Sequence, residues 1–190
     1  MDNEANMLSA IRRHVWAGAY DAEEIATIVG EEFFPPGKAD NDWLRTRIEE
    51  AFRPKRAEEA TWPAVTDCDR LDRVFKGLEA QGIIVEQDAG LTKSDGLEIV
   101  TEAYEDAEAE GEGASIIGYC YYHGQDLERV MKTGDLWLAF GDFHGDNERR
   151  AEIGRRIKRA LEDGGFTVTW SGSVGERLLV SGLRWQRRSP

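Results

Sequence analysis

Two similar polar segments contain the side chains best suited to chemistry in this sequence. They are YHGQD at 122–126 and DFHGD at 142–146, and each follows an apolar run. Imidazole and carboxylate groups can bind zinc or iron, or act as a general acid and base. If the two apolar runs form parallel strands, their carboxyl ends meet at one edge of the sheet, where α/β proteins bind ligands. The candidate ligand-binding residues of that crevice are His123, Gln125, Asp126, Asp142, His144 and Asp146.

A structural interpretation of the same residues remains open. Asp126 and Asp146 each precede a predicted helix, where an N-cap aspartate accepts hydrogen bonds from the exposed amides of the first turn. The sequence contains no H-E-x-x-H, G-x-S-x-G, Walker or G-x-G-x-x-G motif that would point to a known chemistry. Zinc is therefore a candidate cofactor through His123 and His144 alone, and no catalytic residue is assigned.

The elements that would position these segments form an α/β unit after residue 112. The runs SIIGYCYYH, DLWLAFGDF, FTVTW and RLLVSGLRW predict four strands, with helices between the first three. The connection SGSVG predicts a hairpin between the last two strands. The acidic, glycine-punctuated stretch 105–115 predicts a hinge, which divides the chain into domains 1–111 and 112–190.

The N-terminal half is predicted to be helical. Leu8, Ile11 and Val15 have helical spacing, and Asp21 with Glu24 has the spacing of a capping box. Residues 67–99 show the order helix, glycine stop, short strand, turn and helix, which resembles a winged helix. The predicted fold class is therefore α+β, with a helical, winged-helix-like N-terminal half followed by a compact βαβαββ unit that contains a mainly four-stranded sheet.

The charge is distributed unevenly along the chain. The formal net charge is −13, of which residues 1–113 contribute −15 and residues 114–190 contribute +2. The acidic half repels nucleic acid, so DNA binding through the helix at 69–81 is disfavoured. An acidic surface either maintains solubility or faces a basic protein partner. The arginine-rich stretch 149–159 is expected to form weak exposed ion pairs with the acidic residues 105–112.

Targeting signals and cysteine usage indicate a cytoplasmic protein. The sequence has no run of about eighteen apolar residues and no secretory pattern at its N-terminus, so we expect no membrane association. Cys68 and Cys120 lack metal-ligand spacing, and their apolar surroundings indicate inert core thiols in a reducing compartment.

Five sequence blocks carry a resemblance to a known family. They are DCDRLD (67–72), GYCYYHGQD (118–126), LWLAFG (136–141), IGRRI (153–157) and WQRR (185–188). From about residue 66 onward the chain resembles the bacterial family called domain of unknown function 6891. The resemblance implies a cytoplasmic bacterial protein without an assigned activity. Relatives carry a cysteine-rich turn that here reads GLTKSD (90–95), so a thiolate metal site is not implied for this chain.

Two classes of function are compatible with these observations. The first is a non-enzymatic protein-interaction or regulatory protein that presents its acidic surface to a basic partner. The second is a small-molecule or metal-binding protein, or an enzyme, that uses the strand-end crevice around His123 and His144. The sequence leaves the choice between enzyme and binding protein open.

Overall fold

The computed structural model describes residues 2–190 and has the α+β architecture that the sequence predicts. Within these residues there are seven α-helices and five strands. The chain divides into two compact units, the first ending at Thr66 and including Gln186–Pro190, and the second comprising Asp67–Trp185. The division falls after Thr66, whereas the sequence pattern placed a boundary near residue 112.

The first unit is a bundle of three helices, α1 (Asp2–Ala17), α2 (Ala22–Phe33) and α3 (Asn41–Glu59). The capping box predicted at the start of α2 is present, because Asp21 Oδ1 accepts from Glu24 N at 2.9 Å and Asp21 N donates to Glu24 Oε2 at 2.8 Å. Apolar residues at helical spacing face inward on all three helices. The most deeply buried are Ile11, Val15, Ile25, Val29, Leu44, Ile48 and Phe52.

The C-terminal residues are fastened to this bundle by a buried lysine. Lys55 is fully buried, and its Nζ donates to Ser189 Oγ at 3.0 Å and lies 3.2 Å from Glu59 Oε1. Ser189 in turn donates from its backbone N and its Oγ to Glu59 Oε1, at 2.8 Å each. A Cβ on Gly18 would lie 2.6 Å from the carbonyl oxygen of Arg187, so this position needs glycine.

The second unit is built around a mixed sheet of five strands. In chain order these are β1 (Ile83–Glu86), β2 (Gly118–Tyr121), β3 (Leu136–Gly141), β4 (Thr167–Thr169) and β5 (Leu178–Ser181). Their order across the sheet is β1-β2-β3-β5-β4. The helices of this unit are α4 (Asp67–Glu79), α5 (Lys93–Ala109), α6 (Gly124–Thr133) and α7 (Asn147–Asp163), with a 3-10 turn at Gly113–Ser115.

The sheet has one strand more than the mainly four-stranded sheet expected from the sequence. The additional strand is β1, which pairs in parallel with β2 from Ile83 opposite Gly118 to Glu86 opposite Tyr121. Helix α5 therefore joins two parallel neighbours, as a β–α–β crossover does. The segment expected to resemble a winged helix thus contributes its strand to the main sheet. The expected hinge begins within the last turn of α5, which continues to Ala109.

Strands β2 and β3 are antiparallel, whereas the predicted strand-end crevice required them to be parallel. Tyr119 pairs with Gly141 and Tyr121 pairs with Ala139. The carboxyl ends of antiparallel neighbours lie at opposite edges of a sheet, so the segments 122–126 and 142–146 are separated. The hairpin predicted from SGSVG is confirmed, since β4 and β5 pair in antiparallel register.

Helix α7 packs closely on the strands because one of its residues lacks a side chain. A Cβ on Gly154 would lie 2.7 Å from a ring carbon of Trp170 and 2.8 Å from a ring carbon of Phe140. Nearby in the core, Cys120 is fully buried, and burial raises the pKa of its thiol to about 12. Cys68 is also buried, so the prediction of core thiols is confirmed.

The described helices are too short or too polar for a membrane span. Within residues 2–190, no helix is both long enough and apolar enough to cross a bilayer. The α7 sequence illustrates the pattern, with charged residues in every turn and an apolar stripe of Ile153, Ile157 and Leu161 facing the strands.

Candidate functional site

The six predicted site residues form two separate groups. His123, Gln125 and Asp126 lie at the junction of β2 and α6, whereas the segment 142–146 lies between β3 and α7. Gln125 is exposed, and its backbone N donates to the carbonyl of Leu91 at 3.4 Å. The predicted crevice with all six residues does not form, because β2 and β3 run in opposite directions.

The first group is a buried ionic cluster completed by an arginine that the sequence analysis missed. His123 is 5% exposed and Asp126 is 1% exposed. Asp126 Oδ2 lies 3.0 Å from His123 Nε2 and 2.8 Å from Arg177 Nη1. The sheet register explains how these groups meet. Tyr121 at the end of β2 pairs with Ala139, and Leu178 at the start of β5 pairs with the adjacent Leu138. Arg177, which directly precedes β5, therefore lies level with the end of β2.

The hydrogen-bond geometry assigns the proton of the His123 ring. Burial lowers the pKa of His123, and the nearby Asp126 carboxylate only partly opposes this effect. A neutral ring with its proton on Nε2 donates to the carboxylate oxygen at 3.0 Å, which is a shorter contact than the 3.4 Å from the same nitrogen to Arg177 Nη1. His123 Nδ1 and Asp126 Oδ1 are then buried acceptors without a hydrogen-bond donor.

The start of α6 is capped differently from the expectation. The N-cap residue is His123, which makes no capping bond through its side chain, so the expected capping role of Asp126 is wrong. The first free amides of the helix are already paired, since Gly124 N donates to Gly90 O at 2.8 Å and Gln125 N donates to Leu91 O. Through Arg177, the cluster joins α6 to the segment before β5.

In the second group, Asp142 organises the turn between β3 and α7. Its Oδ2 accepts from the backbone N of His144 at 3.2 Å and of Asp146 at 3.0 Å, and its Oδ1 accepts from Arg150 Nε at 2.8 Å. Burial alone would raise the pKa of Asp142, but these three hydrogen bonds outweigh it and lower the pKa below its ordinary value. Both oxygens of this carboxylate are thus occupied in holding the turn.

Asp146 has the capping role that the sequence predicts. It is the N-cap of α7, and its Oδ1 accepts from Glu148 N at 2.8 Å and Arg149 N at 3.2 Å. The cap fixes the first turn of α7, from which the Arg149 side chain emerges. His144 lies in the preceding turn and is exposed. Its side chain borders a cavity.

That cavity is a groove of about 590 Å³ between the end of α5, the 3-10 turn and α7. We call it the α5–α7 groove. Its polar lining consists of Tyr104, Glu108, His144, Arg149, Glu152 and Arg156. Its apolar lining consists of Ala114, Ile116, Ile117 and Ile153. The volume falls within the range of about 300–1,000 Å³ typical of small-molecule sites.

An aromatic stack shapes the end of the groove next to His144. The ring of Tyr104 stacks on Phe143, with centroids 4.2 Å apart, and the ring of His144 lies edge-on to Tyr104 at 6.4 Å. Tyr104 OH donates to Glu108 Oε1 at 3.0 Å, which holds one of the two acidic groups of the groove in place. The stack thus provides a rigid, partly apolar wall.

The cations of the groove differ in their partners. Arg156 Nε donates to Glu152 Oε1 at 3.1 Å, one turn away on the same helix. Arg149 is exposed and has no ion pair within the described residues 2–190. The expected ion pairs between α7 and the acidic residues 105–112 are replaced by pairs within α7, although Glu108 lines the same groove as Arg149.

The zinc prediction required the two histidines to share one crevice. His123 is buried beside Asp126, and His144 is exposed at the opposite edge of the sheet. Across residues 2–190, no three His, Cys, Asp or Glu side chains are arranged to hold a metal ion. The two candidate zinc ligands are therefore not brought together.

Comparison with known families gives a match over the whole chain. The family model of the domain of unknown function DUF6891 matches residues 1–189. The chain belongs to this family. The DUF6891 match extends the resemblance, seen in the sequence from about residue 66, to the three-helix bundle as well. No curated protein and no solved structure matches the chain significantly.

Proposed function

We propose that this DUF6891 protein is a non-enzymatic binding protein whose α5–α7 groove takes a small amphipathic anion. The observation that carries the proposal is the combination of an unpaired arginine, Arg149, with an exposed apolar side chain, Ile117, in one groove of ligand size. The anionic group of the ligand binds at Arg149 and His144. Its apolar body lies against Ile117 and the Tyr104 wall.

The energetics favour a ligand with both parts. Ile117 is 38% exposed, so a bound apolar group removes its surface from water, at about 25 cal/mol for each Å² buried. A charge-assisted hydrogen bond to a guanidinium contributes about 1.5–3 kcal/mol. Glu108 and Glu152 also line the groove, and their carboxylates restrict where a negative group can lie. The apolar contact supplies affinity, and Arg149 supplies orientation.

The state of the other candidate groups supports binding over catalysis. The Asp142 carboxylate is engaged by three hydrogen bonds, and Asp146 caps α7. His123 and Asp126 are buried outside the groove. His144 thus lacks the hydrogen-bonded carboxylate partner that orients a histidine for acid–base chemistry.

The fluorescent anion anilinonaphthalene sulfonate tests this proposal, because it joins an aromatic body to one negative group. Wild-type protein is expected to bind the probe with a fluorescence increase, and Arg149→Gln to weaken binding about tenfold. Amide shifts in an NMR titration should cluster at 104–117 and 144–156. The control is Lys132→Gln on α6, which removes a cation whose side chain is 76% exposed and lies outside the groove. Equal affinity of wild type and Arg149→Gln would contradict the proposal.

A second candidate function rests on the outer face of α5. We also propose that this face binds a basic partner protein, as the charge of the sequence suggested. Four of its carboxylates are exposed and have no ion pair within residues 2–190; they are Glu98, Glu102, Glu105 and Asp106. Leu97, which precedes Glu98 in α5, is 43% exposed, so the helix also offers an apolar contact.

Exchange of two of these charges tests the α5 face. Glu98→Lys with Glu102→Lys should abolish cross-linking to a partner that wild-type protein captures at low salt, because like charges then meet across the interface. Thermal unfolding should change little, since both positions are exposed on a helix surface. A variant that still cross-links to the same partner would refute the role of α5.

A further inference from the structure

A second groove adjoins the first along α7. It has a volume of about 490 Å³, and its charged lining is Glu152, Arg155, Arg156, Arg159 and Asp163. Gln81 and Ala160 complete it. Glu152 and Arg156 belong to both grooves, so the two cavities meet at these side chains. We call the second cavity the arginine groove.

Helical periodicity explains why the two grooves are continuous. Arg149, Glu152, Arg156, Arg159 and Asp163 are separated by steps of three, four, three and four residues, which bring them to one side of α7. With a rise of 1.5 Å per residue, Arg149 and Arg159 are about 15 Å apart along the helix. A ligand of that length would contact both grooves.

The two grooves offer different chemistry. The α5–α7 groove has an apolar side formed by Ile116, Ile117 and Ile153, whereas the arginine groove has three guanidinium groups and a single alanine as its apolar contact. Guanidinium groups present planar forks of donors that match the oxygens of phosphate. The arginine groove is therefore suited to a tail carrying several negative charges.

An internal carboxylate now occupies two of these arginines. Glu152 Oε2 accepts from Arg155 Nε and Glu152 Oε1 accepts from Arg156 Nε, each at 3.1 Å. These two hydrogen bonds lower the pKa of Glu152. Arg159 is exposed and has no ion pair within the described residues. Because Glu152 is exposed on the helix surface, an incoming anion can displace it from the guanidinium groups.

We propose that the two grooves together bind one extended ligand, an amphipathic phosphate ester whose apolar body lies in the α5–α7 groove and whose polyphosphate tail lies in the arginine groove. This inference rests on the proposed function of the α5–α7 groove and names its ligand class. Glu152 acts as a competitor of the tail. Its removal strengthens binding, whereas removal of Arg159 weakens it.

Calorimetric titration with inorganic tripolyphosphate and with adenosine triphosphate tests the arginine groove. Tripolyphosphate is expected to bind wild-type protein. Relative to wild type, its affinity should be about tenfold weaker for Arg159→Gln and several-fold tighter for Glu152→Gln. Adenosine triphosphate should bind more tightly than tripolyphosphate and displace anilinonaphthalene sulfonate. The control is Lys158→Gln, which removes the same charge from a neighbouring position of α7 outside both grooves.

The outcomes separate this inference from the proposed function. Suppose that tripolyphosphate bound Arg159→Gln with the same affinity as wild type, while the fluorescent probe still required Arg149. The proposed binding of a polyphosphate tail would then be wrong, and the proposed function of the α5–α7 groove would be unaffected. If adenosine triphosphate bound through Arg159 without displacing the probe, the proposal that one extended ligand occupies both grooves would be wrong. The inference would be supported if Arg149→Gln lost probe binding, Arg159→Gln retained it, and the tripolyphosphate and adenosine triphosphate affinities followed the order given above.

Discussion

Replacement of Asp126 by alanine is expected to lower the free energy of unfolding by about 4 kcal/mol. The carboxylate is 1% exposed and is the shared partner of His123 and Arg177. Its removal takes away the acceptor that His123 Nε2 and Arg177 Nη1 share. Removal of one partner from a buried ion pair destabilises a protein strongly, because the remaining charge stays partly buried without compensation.

Urea unfolding of Asp126→Ala and Glu128→Ala provides a matched measurement. Glu128 lies two residues away on α6, and its side chain is 37% exposed and pairs with Lys132 at 3.8 Å, so its replacement should cost less stability than that of Asp126. A double-mutant cycle with Arg177→Ala should give a coupling energy of about 1–3 kcal/mol. If Asp126→Ala and Glu128→Ala lost similar amounts of stability, the buried cluster would not be a main contributor to the stability of the fold.

Features set by neighbouring residues could be predicted from the sequence. The capping box of Asp21 and Glu24 and the cap at Asp146 require side chains to reach amides two or three residues away. Local composition contains this information, although it misplaced the cap of α6, whose N-cap is His123 and not Asp126. The burial of Cys120 within an apolar run is predictable for the same reason.

Features set by distant residues could not be predicted in this way. The connection 122–135 is long enough for a parallel crossover, so its length did not reveal that β2 and β3 are antiparallel. Arg177 is 51 residues from Asp126, and no local pattern announces their ion pair. The predicted crevice was wrong because it depended on strand direction, which the alternation of helices and strands does not determine.

The α5–α7 groove was missed because its residues resemble a linker. The stretch 105–115 is acidic and rich in glycine, which is typical of a hinge. Gly113 is nevertheless buried, and a Cβ there would lie 2.5 Å from Cγ of Glu108. The glycine serves close packing against α5 and not flexibility. Composition alone does not distinguish these two uses of glycine.

The second large effect concerns pH and the helical bundle. His14 is 8% exposed in α1, and burial together with the charge of Arg13 lowers its pKa to about 4, from about 6.5 in an unfolded chain. The unfolded state therefore binds a proton that the folded state excludes. Stability is fully present above pH 6.5 and falls as the pH is lowered towards 4, with a maximum loss of about 3 kcal/mol from this residue.

His14→Phe isolates this contribution, because phenylalanine keeps a ring in the edge-on contact that His14 makes with Tyr20 at 5.7 Å but cannot bind a proton. Between pH 7 and 4.5, unfolding in urea followed at the α1 amides should show a loss of stability about 2 kcal/mol smaller in the variant, because the full loss is reached only below pH 4. The ring protons of His14 should titrate near pH 4 in the folded protein. Parallel pH profiles of wild type and variant, or a ring that titrates near pH 6.5, would mean that the imidazole is not held neutral by burial in the bundle.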